Sequence, residues 1–458
     1  MKVLVAGAGQ VGYNVARYLA TAGNDVTIID QRQELVQKIG DSLDIQAMTG
    51  HASHPSVLDA AGAADADIMI AVTQVDEVNM VACQVAHSLF NVPTKIARVR
   101  QQDYLQGRWQ DLFRRDHLPI DVVISPELEV AHAIALSLEV PGALNVVRFA
   151  DDLVRLIAIR CHEQTPVIDT PLRQLTYLFP DLHVICVGIE RESRFFIPSA
   201  DDQILVGDEV QLVVETSHLP RVLPAFGYEE QRNDRIVIAG GGNVGLFLAT
   251  EIETRFPGIG LKIIEADTIR AEIAADQLRR SVVLCGDARE QELLNEANIG
   301  AAEAVVTVTN NDEINIMVAL LAKSLGCHRA LSLLNNPTYN LISKEVGIDV
   351  AINPRDITVS TILQHVRRGR IKSVHTIRDG EVEIYEAEAL ETSPLVGKSL
   401  RDLRAPGGMV VGAVIRDGQV ITPRGDTTIR AHDRVIIVAR SEMVRKVEQL
   451  FAVRVDYF

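Results

Sequence analysis

Short aliphatic runs recur along the chain at intervals that leave room for a helix between them. Residues 3–6, 26–29, 68–72, 95–99 and 122–124 are nearly continuous apolar stretches, the pattern of strands buried on both faces of a parallel sheet. Between the first two runs, residues 12–22 place Val15, Leu19 and Ala22 on one helical face, with Val11 just ahead of them. Runs joined by helix-length spacers predict crossover connections and a doubly wound sheet. A different rhythm follows over 146–215, with shorter runs and more turn signals. A strand pair closed by "GDE" there predicts a small β-rich α+β module.

The whole pattern then repeats. "GAGQVG" at 7–12 returns as "GGGNVG" at 240–245, and "TGHAS" at 49–53 as "CGDAR" at 285–289. "DADIMIAVTQVDEVNM" at 65–80 matches "AAEAVVTVTNNDEINIM" at 301–317, and "IDVVISP" at 120–126 matches "IDVAINP" at 348–354. The second module, 373–440, repeats the first, with "HDR" in place of "GDE". Such a self-match is an internal duplication. The expected fold is α/β: two tandem doubly wound Rossmann-like domains at 1–123 and 232–348, each followed by a small β-rich α+β module at 143–227 and 368–453. The polar stretch "GYEEQRND" at 227–234 is the expected joint.

Composition narrows the class. The chain has 458 residues, 47% of them hydrophobic, which is a folded profile too long for one core. No apolar run approaches the ~20 residues of a membrane helix, and "MKVLVAGAG" is too short and glycine-rich for a signal peptide. Five cysteines form no CxxC pair and are expected as reduced core thiols of a cytosolic protein. A net charge of −16 argues against nucleic acid as a partner.

A strand, then G-x-G-x-x-G, then a helix is the dinucleotide fingerprint. Gly7 permits the turn, Gly9 lets a pyrophosphate approach the backbone, and Gly12 lets helix pack on strand. Free N–H groups at the helix start would hold the phosphate charge. This makes Gly7, Ala8, Gly9, Gln10 and Val11 candidate binding residues, and Gly240, Gly241, Gly242, Asn243 and Val244 their counterparts. The second strands end in Asp30 and Glu265. Acids there would accept hydrogen bonds from ribose hydroxyls and repel a 2′-phosphate, favouring NAD-type or adenosine ligands over NADP. Thr73 and Thr309, at the end of the fourth strand, are expected to face the same crevice with Gln74 and Asn310 beside them, or to cap the helices that follow. Arg98 ends the next strand, where it could pair with a phosphate. Leu333 stands at its aligned place, so the two sites are expected to be unequal. A Rossmann-shaped domain that binds nothing is the competing reading; two copies that both keep the acid weaken it.

Chemistry beyond binding is not visible. There is no Y-x-x-x-K pair, no catalytic-type cysteine motif, no GxxxxGK[ST] and no metal-ligand cluster. His51 and His54 read as a solvated helix start. No catalytic residue and no metal site is expected, and the chain is expected not to be an enzyme. An oxidoreductase subunit that moves hydride from NADH is the alternative, and a scaffold with dead sites a third reading.

The paired "GxGxxG…D/E", "GDA" and "TxxDExN" motifs, with the small module after each, resemble the RCK (regulator of potassium conductance) family over essentially the whole chain. "GHA" replaces "GDA" in the first half. Two tandem units are similar to peripheral regulatory subunits of bacterial potassium uptake systems. The resemblance implies NAD or NADH as ligand, with ATP or ADP as further ligands. It implies a homo-oligomeric ring under a membrane-embedded potassium channel subunit of the Trk type, on the cytoplasmic side of the inner membrane.

The halves diverge most at "GRWQDLFRRD", 107–116, which holds the single tryptophan among arginines. It is expected either as a docking surface or as a longer helix whose Trp109 and Phe113 pack on their own domain. "HVRRGR" at 365–370 is a second basic candidate.

Overall fold

Parallel strands β1 (Lys2–Ala6), β2 (Asp25–Asp30), β3 (Gln46–Thr49), β4 (Ile68–Ala71), β5 (Thr94–Arg98) and β6 (Val122–Ile124) form one sheet in the order β3-β2-β1-β4-β5-β6. The chain moves outward from β1 to β3, then restarts on the other side at β4. That reversal opens a crevice above the carboxyl ends of β1 and β4. The structure is a computed structural model describing residues 1–140, 142–178, 183–192, 194–228, 234–343, 345–366, 371–377, 380–402 and 408–451. Residues 229–233 of the expected joint and 367–370 of the basic patch lie outside them.

The second half rebuilds the sheet. Strands β12 (Arg235–Ala239), β13 (Gly260–Glu265), β14 (Val282–Cys285), β15 (Ala304–Thr307), β16 (Arg329–Leu333) and β17 (Val350–Ile352) run β14-β13-β12-β15-β16-β17. The small modules are antiparallel. β7 (Ala143–Phe149), β8 (Val154–Arg160), β9 (Val184–Arg191), β10 (Arg194–Phe196) and β11 (Glu209–Glu215) order as β10-β9-β11-β8-β7. β18 (Ile371–Ile377), β19 (Val382–Glu388), β20 (Met409–Arg416), β21 (Gln419–Ile421) and β22 (Arg434–Arg440) order as β18-β19-β22-β20-β21, the same connectivity. The "GDE" and "HDR" turns repeat one buried device. Asp208 takes the Arg191 guanidinium and the Leu205 N–H, as Asp433 takes Arg416 and the Arg430 N–H.

The described residues divide into two compact units, and chain order does not predict them. The first unit holds Met1–Glu129 with residues 355–366 of helix Pro354–Val366. Val359, Ile362, Leu363 and Val366 of that helix complete a core with Val3, Val5, Val15 and Leu19. The second unit takes up helix Pro126–Glu139 from Val130 onward. There Glu139 gathers Arg148 at 2.7 Å, Arg155 at 3.0 Å and Arg255. Arg329 donates to the carbonyls of Ser137 and Ala143 near that helix's end. Burial pushes the Arg329 guanidinium down to about 10 against the opposing pull of Asp349. A cation suits that end of a helix, where carbonyls have no helical partners.

The divergent segment is not a longer α-helix. It is a short helix, Gln102–Leu105, and a 3₁₀ run, Gly107–Phe113. Three residues per turn separate positions that an α-helix would stack. Phe113 therefore packs into the core with Tyr104, Leu105 and Leu118, while Trp109 is 50% exposed with the Arg108 guanidinium 5.0 Å from its ring centre. The cysteines also divide: Cys83, Cys161 and Cys327 are buried, Cys186 is half-buried and Cys285 is exposed. Among the described residues no helix is long and apolar enough to cross a membrane.

Candidate functional site

The three glycines of each loop have different reasons to be glycine. Gly7 and Gly240 hold φ of +107° and +113°, a backbone that side chains disfavour. A Cβ on Gly7 would stand 2.9 Å from the Thr73 nitrogen. A Cβ on Gly12 or Gly245 would run into the carbonyl of Gly7 or Gly240. Gly9 and Gly242 are otherwise. Their φ values are −66° and −68°, and an added Cβ would meet nothing within 4 Å. Both are the N-caps of their helices, Gln10–Thr21 and Asn243–Arg255, and neither helix has a side-chain cap. A Cβ-bearing cap such as serine or aspartate has room there and would be worth about a few tenths of a kcal/mol over glycine.

Asp30 and Glu265 close these loops. Asp30 accepts the Ala8 N–H at 2.7 Å on one oxygen and the Arg32 N–H at 2.8 Å on the other. Glu265 accepts Gly241 N–H at 2.6 Å and Asp267 N–H at 2.9 Å. Main-chain donors thus already use one bond on every carboxylate oxygen. That leaves each acid weaker capacity for ribose hydroxyls than the sequence reading assumes.

The "TxxDExN" motif braces the opposite wall. β4 and β15 end at Ala71 and Thr307, two residues before the threonines. Asn79 Oδ1 accepts both the N–H and the hydroxyl of Thr73, and its amide donates to the carbonyls of Thr73 and Arg98. Asn315 does the same with Thr309 and Leu333. The expected capping role goes elsewhere. The helix N-caps are Val75 and Asn311, and the Asn311 side chain accepts the Ile314 N–H. Asp76 and Asp312 tie down the next loop by accepting main-chain N–H groups of Arg100, Gln101, Asn335 and Asn336.

Arg98 turns inward. Its Nη2 donates to the Thr73 carbonyl at 3.0 Å, and its buried Nε has no partner. Burial first, then the charge of Arg100, holds its pKa below the usual guanidinium range. It braces the loop that bears Thr73 and Gln74 and is not on the cavity wall.

That cavity, of about 190 Å³, is lined by Gly7, Gly9, Asp30, Thr73 and Gln74 among the expected residues. The remaining expected residues of the loop, Ala8, Gln10 and Val11, are not on the cavity wall: Ala8 is buried between the glycines, and Gln10 and Val11 begin the first helical turn with Gln10 exposed. Gly240, Gly241, Gly242 and Thr309 hold the same places on the second loop by the same hydrogen bonds, Asn243 and Val244 begin its helix, and Asn310 follows Thr309.

The profile of the TrkA-N domain matches residues 3–126 and 236–354, and that of the TrkA-C domain matches 384–452. A Trk system potassium uptake protein TrkA of Azorhizobium caulinodans is 49% identical over 458 residues, covering all of both chains. The chain belongs to the TrkA family. Its relative in Halomonas elongata, of the same name, is 39% identical, again over the whole of both chains. Among solved structures, the GsuK RCK domain aligns with a TM-score of 0.59 at 16% identity, covering 98% of this chain and 94% of that one. A GsuK channel bound to NAD aligns at 0.60 and 15% identity, covering 98% and 78%. At that identity the likeness establishes the RCK fold.

Both TrkA-N matches enclose a glycine loop and its acid. They also enclose residues that the sequence reading left out. Gln31, Arg32, Gly50, His51, Ala52, Val72, Val75 and Val78 line the first cleft too. His51 is no bare helix start: its Nδ1 is 2.8 Å from Ser53 Oγ, and its ring stacks on His54 at 4.7 Å. The signal was present, since "GHA" aligns with "GDA", but nothing in the sequence said that the loop after β3 reaches the cleft. Among the described residues no group of three or more His, Cys, Asp or Glu could hold a metal ion.

Proposed function

We propose that this TrkA-family chain is a nucleotide-sensing regulatory subunit that binds NAD or NADH on its glycine loops, with ATP or ADP competing there. The observation that carries the reading is glycine at 9 and 242, where the folded chain has room for a side chain. Two helix starts that forgo a stabilising cap, each with free N–H groups at a glycine, suit an incoming phosphate. Pyrophosphate would lie on Gly9–Val11 and Gly242–Val244, and the ribose beside Asp30 and Glu265. Thr73, Gln74, Thr309 and Asn310 would line the opposite wall, and Arg98 would stiffen it.

The helices that receive the phosphate also bear on the crossover helices. Val15 and Leu19 of helix Gln10–Thr21 share a core with Ile362 and Leu363 of helix Pro354–Val366. Helix Asn243–Arg255 holds helix Pro126–Glu139 through Arg255 to Glu139 and Glu251 to His132. A ligand that moves either glycine-loop helix therefore acts on a helix carried in from the other half. Differential binding to two such arrangements is what gating needs. The proposed partner is a membrane-embedded potassium channel subunit of the Trk type, held under a homo-oligomeric ring on the cytoplasmic side of the inner membrane. No catalytic step is proposed.

Calorimetric titration of the full chain with NAD, NADH, ATP and ADP tests this. Saturable binding that Gly9→Asp and Gly242→Asp each reduce supports it. Oxidation of bound NADH by an added acceptor would favour an oxidoreductase subunit instead. No binding of any of the four would overturn it.

A further inference from the structure

The two clefts are duplicates in backbone but differ in charge where β2 and β3 end, and likewise β13 and β14. The hydrogen bonds equate them residue by residue. Gly50 N–H donates to the Asp30 carbonyl at 3.0 Å, as Gly286 N–H does to that of Glu265 at 2.9 Å. Arg32 N–H donates to the Asp30 carboxylate as Asp267 N–H does to Glu265. Arg32 thus corresponds to Asp267, and His51 to Asp287.

Arg32 and Asp267 are both helix N-caps. Asp267 accepts the Arg270 N–H, as a good cap does. Arg32 caps nothing, and a cation is the less favourable sign at a helix N-terminus, so helix stability does not account for it. Its guanidinium is 55% exposed and 3.6 Å from Asp30, and it lines the cavity together with His51. In the second cleft the corresponding groups are all carboxylates: Glu265, Asp267 and Asp287. Arg289 is turned onto Asp287.

This is the end of the fold where the adenosine ribose of a dinucleotide lies, and where an arginine accommodates a ribose phosphate. Both Asp30 oxygens accept main-chain N–H groups, and Arg32 offsets the charge. The Ser53 contact to His51 Nδ1 leaves Nε2 for a ligand. We propose that the two clefts sort adenosine dinucleotides by the charge on their ribose: the first accepts a ribose phosphate on Arg32 and His51, and the second excludes it. The inference rests on the nucleotide-binding reading above. It follows that NADH fills both clefts and NADPH one, so one chain distinguishes the two kinds of dinucleotide by occupancy.

The experiment compares NADH with NADPH by calorimetry on three full-length proteins: the unsubstituted chain, Gly242→Asp with the second cleft blocked, and Gly9→Asp with the first blocked. Gly242→Asp is expected to bind NADPH within about tenfold of NADH, and Gly9→Asp to bind it at least about 100-fold more weakly. Adding Arg32→Asp to Gly242→Asp is expected to shift the NADPH-to-NADH ratio about tenfold against NADPH. Melting curves confirm folding, with Gly→Ser at the same positions as the milder block. Equal discrimination by the two single-cleft proteins, or no shift with Arg32→Asp, overturns the inference and leaves nucleotide binding standing. No NADH binding by the unsubstituted chain brings down both.

Discussion

Gly241 lies against the side chain of Glu265. A Cβ added to Gly241 would be 3.0 Å from the Glu265 Cβ and 3.2 Å from its Oε2, while the Gly241 N–H reaches that oxygen at 2.6 Å. The first half holds Ala8 and the shorter Asp30 at these places, with the same N–H to carboxylate bond at 2.7 Å. The residue pairs are matched: a longer acid goes with a missing Cβ. Gly241→Ala should cost about 1–3 kcal/mol by overpacking. Adding Glu265→Asp, which recreates the pair of the first half, should recover most of it. A double-mutant cycle from urea melts checks this, and simple additivity would contradict the matching.

The glycines of one loop should separate cleanly. Gly12→Ala forces a Cβ into the Gly7 carbonyl and should destabilise the protein by about 1–3 kcal/mol or more. Gly9→Ala meets nothing at an ordinary φ, and the freedom it takes from the unfolded chain is offset by alanine's poor fit at an N-cap, so stability should change by less than about 0.5 kcal/mol. NADH affinity should nevertheless fall with Gly9→Ala. Melting and calorimetry on the same two proteins decide it.

Glu253 latches the end of helix Asn243–Arg255 to the loop before β14. Desolvation raises its pKa, but the N–H groups of Arg279, Arg280 and Ser281 and the Ser281 hydroxyl outweigh it and hold the carboxyl down at about 2, from an ordinary 4.5. A depressed folded-state pKa stabilises above the unfolded value and loses that stability as pH falls through the folded one. The latch should therefore hold fully above about pH 4.5 and weaken from there toward pH 2. Urea midpoints between pH 3 and 6 should fall less steeply for Glu253→Gln than for the unsubstituted chain. Parallel curves would show that the latch carries no pH dependence.

Trp109 and Phe113 should behave oppositely. Phe113→Ala removes a partly buried ring packed against the first domain's core and should cost about 1–3 kcal/mol, below the range for a fully buried ring. Trp109→Ala removes a half-exposed ring beside the Arg108 guanidinium and should change stability by less than about 0.5 kcal/mol. Thermal melts of the two variants read this directly.

The sequence by itself determined whatever rests on local periodicity and local sterics. Apolar runs at helix-length intervals fixed the doubly wound sheets, self-matching fixed the duplication, and the glycine spacing with Asp30 and Glu265 located both loops. The apolar periods and glycine spacings lie within one strand–turn–helix–strand unit, where φ and side-chain period are set by neighbouring residues, and the duplication needs only that one such pattern be compared with another. Only the tertiary structure decided what depends on distant segments meeting. Parallel register brings the loop after β3 beside the end of β2, so His51 and Arg32 share a cleft though no local pattern joins them. Packing turned Arg98 onto the Thr73 carbonyl, where a strand-end arginine had pointed to phosphate. A 3₁₀ run separated Trp109 from Phe113, which α-helical spacing would have stacked. Burial of apolar faces assigned residues 355–366 to the first unit and residues from Val130 onward to the second, because a helix packs where its apolar face is covered, and chain order does not say which sheet will cover it.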